Sequence, residues 1–130
     1  MRFMYIVTPA HAVPPTPELM DAVHKLAERE IKAGRMLDSG ALTPRTSGAQ
    51  VRITNGELSV IDGPFVEAKE VIGGYAIFEL KDKQEAVAKA VEFMQAHRDH
   101  MPGWEGTCEV RMFASPEAEA ACQADARIAS

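Results

Sequence analysis

The sequence predicts an α+β domain, and three features carry that prediction. Apolar residues recur at helical spacing in two stretches, residues 17–34 and 82–97. Strand-length runs rich in β-branched and aromatic residues stand at 2–8, 35–42, 75–80 and 107–113. Asn55-Gly56, the favoured two-residue turn, divides residues 51–61 into two alternating arms of a hairpin. The order is strand, helix, strand, hairpin, strand, helix, strand. With the hairpin treated as an insertion this is βαββαβ, the ferredoxin-like split βαβ unit.

Each element has its own signals. Arg2 to Thr8 (RFMYIVT) is apolar on both faces, as a central strand is. Pro9 to Pro17 is a loop with four prolines, after which Thr16 N-caps a helix with Pro17 in its first turn. Leu19, Val23, Leu26, Ala27 and Ile31 form the apolar stripe of that helix, and Gly34 ends it. Arg35 to Leu42 follows as a strand, with Gly40 expected at a bulge. Folding residues 51–61 about Asn55-Gly56 sets Ile53 opposite Leu58, Val51 opposite Val60 and Arg52 opposite Ser59, with both apolar pairs on one face. Asp62-Gly63-Pro64-Phe65 is a turn, and Gly73-Gly74 releases the chain into Tyr75–Leu80, a buried strand. Asp82 and Glu85 make a capping-box-like start to a second helix, with Val87, Ala90, Val91 and Met94 as its buried stripe. In the last strand Cys108, Val110 and Met112 face one way and Glu109 and Arg111 the other. Residues 115–130 are an Ala-rich tail or short helix.

Composition narrows the function classes. One hundred and thirty residues suffice for one domain, read here as residues 1–114 plus the tail. A net charge of −5 without a basic stripe argues against nucleic acid or an anionic membrane as a partner. Cys108 and Cys122 are isolated and read as reduced thiols. Phe3–Val7 is too short for a membrane span or a signal-peptide core, and Ala10-His11-Ala12 lacks the apolar segment a cleavage site needs, so a cytoplasmic location is expected. A sheet covered by two helices on one side leaves large apolar groups bare on the other. A two-fold homodimer with sheets packed face to face is the expected remedy.

Two segments hold the residues that can carry chemistry. His97 and His100 stand at i, i+3 near a helix end, beside Asp99 and Glu105. They serve either as general acid–base groups or as caps on the helix carbonyls; no clear third ligand accompanies them, and no metal site is assigned. Asp62, Glu67 and Lys69 flank the glycine turn, where an acid and an amine can orient a small anion or poise a proton. The alternative is a turn cap with a solvated ion pair. Trp104 follows a Pro-Gly turn and either floors an aromatic pocket or plugs the mouth of a barrel. Cys108 reads as a small core residue, and His11 as solvent-facing.

The string Asp62-Gly63-Pro64-Phe65-x-Glu67-x-Lys69-Glu70-x-x-Gly73-Gly74-Tyr75 resembles the signature of the DGPF-type members of the YCII-related proteins, with every fixed position present. A second segment, HRDHMPGWEGTCEVR at residues 97–111, is also similar to that family, with Met101 where a bulky aromatic is expected. The resemblance covers roughly residues 1–114 and implies a dimeric α+β barrel. It further implies a small-molecule-binding protein, in its catalytic form a lyase or isomerase without cofactor that uses His97, His100 and Asp62 for acid–base chemistry. Arg52, Glu67, Lys69 and Trp104 would then bind a small acidic or phenolic ligand. The alternative it implies is a non-catalytic stress-response companion of extracytoplasmic-function sigma factors. Another branch of the family is thought to use a first-helix His with an Asp or Ser on the next strand. That His position falls on or beside Val23, one residue from His24, with Asp38 and Ser39 near the strand position. Because the tail has no counterpart in the resemblance, removing residues 115–130 is expected to leave the dimer intact in sedimentation velocity. A truncated chain that sizes as a monomer would place the tail in the interface.

Overall fold

The computed structural model describes residues 1–11, 13–43, 47–62, 72–116 and 119–120. Its elements run β1 (Arg2–Pro9), α1 (Pro17–Lys32), β2 (Met36–Ala41), β3 (Ala49–Thr54), β4 (Glu57–Asp62), β5 (Gly74–Glu79), α2 (Lys83–His100) and β6 (Gly106–Met112). The main sheet is antiparallel in the order β2-β5-β1-β6. This is the strand order of the split βαβ unit, with β1 central as its two-sided apolar run requires. The β3–β4 hairpin forms a separate two-stranded sheet, turning at Asn55 (φ 53°) and Gly56 (φ 79°). Its register pairs Ile53 with Leu58, Val51 with Val60 and Arg52 with Ser59, as expected.

The caps form as the sequence suggests. Thr16 Oγ1 accepts from Leu19 N–H (3.1 Å) and donates to the His100 carbonyl (2.8 Å), so one hydroxyl starts α1 and ties it to the end of α2. Asp82 Oδ1 accepts from Glu85 N–H at 2.8 Å. Gly34 takes φ +75° behind α1, a conformation that strains any side chain. Helix α2 runs three residues beyond the expected end, to His100.

The core cluster lies between the sheet and α2, and α1 buries Leu19 beside it. Phe3, Tyr5, Phe78 and Leu80 pack against Ala86 and Ala90, with Met36, Ala76, Cys108, Val110 and Met112 at its border. Tyr5 meets Phe78 edge to face at 4.9 Å, and its hydroxyl donates to the Ala86 carbonyl at 2.7 Å. Burial raises the Tyr5 pKa, so the phenol stays protonated.

Three expectations are corrected. The buried line of α2 is Ala86, Ala90 and His97, whereas Val87 and Val91 are exposed. The small alanines let the helix approach Tyr5 closely enough for that hydrogen bond. The sheet bulge lies between Met36 and Asp38, not at Gly40. Gly40 is small for another reason: a Cβ there would lie 3.1 Å from the Tyr75 ring. On α1, Ile31 is exposed and Glu30 is buried at 3% exposure.

Glu30 is buried because cations from three elements converge on it. Arg29 of α1 (2.9 Å), Lys89 of α2 (2.6 Å) and Arg35 at the entry to β2 all donate to its carboxylate. Arg29 also grips Glu92 of α2. Burial opposes the charge, but the hydrogen bonds from Arg35, Lys89 and Arg29 outweigh it and lower the Glu30 pKa to about 2. The ordinary value is 4.5, so the resulting stabilisation is complete above pH 4.5 and is lost as pH falls toward about 2. A shift of that size corresponds to about 3 kcal/mol. Glu30→Gln is therefore expected to lower the unfolding free energy by about 3 kcal/mol at pH 7 and to flatten its fall between pH 5 and 2, as urea titrations would show. An unchanged acid limb in that variant would mean that other carboxylates control it.

Candidate functional site

Helix α2 and the edge strand β6 diverge to leave an apolar trough. One part, about 540 Å³, is walled by Val87, Val91 and Met94 of α2 and by Cys108 and Val110 of β6. A second part, about 520 Å³, is bounded by Ala10, Trp104, Glu105, Gly106 and Thr107, so a carboxylate shares it with the Arg98 guanidinium. Met94 and Arg98, one helical turn apart, line both. The Arg98 side chain is exposed, and among the described residues its ion-pair contact is a long one to Asp99 at 3.4 Å. A guanidinium above an apolar, partly aromatic wall suits the carboxylate or phenolate of a small planar molecule.

Trp104 lines the second part of the trough, and behind it His97, which lines neither part, packs on the indole. The imidazole is buried, with Nδ1 3.0 Å from the Phe93 carbonyl. Its ring lies 4.6 Å from that of Phe93 and 4.5 Å from that of Trp104. Trp104 in turn covers Gly106, where a Cβ would sit 2.5 Å from the indole. The glycine is thus the floor on which the indole rests, and the indole fixes the imidazole. Cys108 faces the trough, but burial raises its thiol to about 11, so it offers no thiolate near neutral pH.

The other described residues singled out by the sequence do not line this trough. His100 is exposed at the end of α2, so the i, i+3 pair divides into one buried and one solvent-facing imidazole. Arg52 is exposed on the hairpin and donates to Gln50 Oε1 at 3.1 Å. Asp62 is the last residue of β4. Glu67, Lys69 and most of the DGPF segment lie outside the described residues, as do Cys122 and the tail beyond residue 120. Among the described residues no group of three His, Cys, Asp or Glu could hold a metal ion. None of the helices is long and apolar enough to cross a membrane, among the described residues. His24 is exposed on α1.

The uncovered face of the sheet carries a second polar arrangement. Tyr75 donates to Asp38 Oδ2 at 3.1 Å, and this bond raises the Tyr75 pKa. Sequence reasoning missed both this pair and Arg98. A pattern signal for Arg98 was present, since Met94 and Arg98 stand at i, i+4; for the tyrosine–aspartate pair there was none, because it depends on the bulge.

A family model, that of the YCII-related domain, matches residues 1–99. An uncharacterised protein of Rhizobium meliloti (strain 1021) is 29% identical over 91 residues, which span 70% of this chain and 73% of that protein. Among solved structures, 5-chloro-2-hydroxyhydroquinone dehydrochlorinase from Burkholderia phenoliruptrix AC1100, in complex with 2,5-dihydroxybenzoquinone, is similar at a TM-score of 0.42 and 13% identity. That match covers 91% of this chain and 98% of that one.

Replacing Gly106 with Ala is expected to displace the indole, costing about 1–3 kcal/mol and shifting the emission of the single tryptophan. Unchanged emission together with unchanged stability would show that the indole does not rest on residue 106.

Proposed function

Because this chain belongs to the YCII-related family, we propose that it is a small-molecule-binding protein that works as a homodimer and lodges a small acidic or phenolic ligand in the trough between α2 and β6. The observation that carries this reading is Arg98, an exposed guanidinium shared by both halves of a hollow whose other polar lining is Gln95, Glu105 and Thr107. The apolar wall supplies affinity roughly in proportion to the area covered, and the guanidinium selects an anion or a polarised hydroxyl. Trp104 offers a ring to stack on at one end.

In its catalytic form this protein is a lyase or isomerase without cofactor, with His97 or His100 moving a proton and Asp62 assisting. Of the two imidazoles, His97 is the one whose orientation is fixed, by Phe93 and Trp104. Lys69, Glu67 and Arg52 remain ligand-binding candidates on the sequence argument alone. The homodimer rests on the uncovered sheet face, where Met4, Ile6, Tyr75 and Ile77 are only half-buried.

Calorimetric titration with a panel of small aromatic carboxylates and phenols tests the site. Binding is expected for some members, weakened about tenfold or more by Arg98→Ala, equivalent to at least about 1.4 kcal/mol. A panel without a binder, or binding indifferent to Arg98, would overturn the trough as the site. Sedimentation of the unmodified protein tests the homodimer, and a monomer at micromolar concentration would remove it.

A further inference from the structure

We infer that residues 117–130 fold back as a helix along the first part of the trough, so that Cys122 lies against Cys108 and Asp125 meets Arg98. The docking stands without any ligand. Its consequence, that the tail competes for Arg98, rests on the reading of that residue as the anion-binding group.

The way the chain leaves the sheet directs it there. Phe113 N–H donates to the Arg2 carbonyl at 2.9 Å, so pairing with β1 continues one residue past β6. Val110, close to that end of β6, walls the trough together with Val87 and Val91. Pro116 then opens a helical turn, in which Glu119 N–H donates to the Ser115 carbonyl at 2.8 Å. Proline suits the first position of a helix, where its missing N–H has no partner to lose.

Length and pattern fit the trough. From Val87 to Arg98, α2 advances about 17 Å, and residues 117–130 as a helix span about 21 Å. In a helix begun at Pro116, Ala118, Ala121, Cys122, Asp125 and Ile128 share one face, at i, i+3, i+4, i+7 and i+10. Glu119 and Ala120 point away from that face, and both are exposed. Three of the facing side chains are small, which lets the helix settle between α2 and β6. The trough in turn offers Val87 and Val91, 43% and 50% exposed, as large apolar groups to cover.

The short connection from His100 to Gly106 makes α2 and β6 antiparallel, so a tail returning from the end of β6 runs parallel to α2. With Ala118 level with Val87, Cys122 comes one turn on, level with Val91 and facing Cys108. Asp125 comes about one turn further, level with Met94. A long helical side chain leans back toward the N-terminus, which carries Arg98 over Met94. Glu117, Glu119 and Asp125 against the single Arg127 leave the tail with the charge to meet that guanidinium. Glu105, the carboxylate of the trough itself, belongs to the second part. Asp125 and the anion of a ligand then compete for Arg98, and the tail acts as a strap that a ligand displaces.

The two cysteines of the chain supply the test. The full-length protein is treated with a short bismaleimide and followed by mass spectrometry. Cys122 is expected to react first, because burial raises the Cys108 thiol to about 11, and the tethered second maleimide then bridges to Cys108 within the same chain. A tail that merely collides with Cys108 would also be bridged, so the rate decides. Val91→Glu in the trough and Ile128→Glu in the tail should each slow bridging about tenfold, since each puts a charge into the apolar contact. Asp125→Arg should slow it too, and adding Arg98→Asp should restore it, which also shows that the reversed chain folds. Rates indifferent to these changes would overturn the docking, as would Cys122 labelled without bridging. A linker joining two chains would do the same, by placing a second copy in the trough. A member of the calorimetric panel that binds should slow bridging, and a binder without that effect would overturn the competition for Arg98. A panel without a binder would remove the competition and leave the docking to the bridging rates.

Discussion

The buried carboxylate of Glu30 is the constraint to which the rest of this structure is fitted. A charge removed from water is tolerated only when its partners are close and numerous. Here the partners come from α1, from the chain entering β2, and from α2. Meeting that demand fixes the rotation of α1, which is why Ile31 of its apolar stripe ends up in solvent. It also fixes α2 beside α1, an arrangement reinforced at the other end by Thr16 on the His100 carbonyl.

Once α2 is held there, the size of its side chains shapes the site. Ala86 and Ala90 allow close approach to Tyr5 over the first half of the helix. On the β6 side of the same stretch the hollow begins at Val87 and Val91, and further along Met94 and the indole of Trp104, packed on His97, border its second part. Gly106 belongs to the same arrangement, because any side chain there would push the indole off its floor. The trough is thus a consequence of how the helix is docked.

The two faces of the sheet answer to different requirements. One is filled by Phe3, Tyr5 and Phe78 under the helices. The other combines half-buried apolar residues with the hydrogen-bonded pair Tyr75 and Asp38. The hairpin extends the theme, since Val51, Ile53, Leu58 and Val60 lie between 66% and 73% exposed on one side of it.

Local chemistry determined much of this from the sequence. Thr16, Asp82 and Gly34 mark helix ends through bonds made within a few residues. Asn55-Gly56 sets the hairpin register through its own backbone preferences, and the strand and helix periods specify the split βαβ order. What only the tertiary structure decided are the features that depend on distant partners. Glu30 could not be read as buried because its cations lie up to 59 residues away. Arg98 gains its meaning from Trp104 and β6 across the trough. His97 and His100, equivalent by spacing, part company because only one of them finds aromatic rings to pack between. Asp38 changes face through a one-residue slip that no periodicity announces. A pattern records which residues share a side of an element; which side is covered, and by what, is a property of the assembled fold.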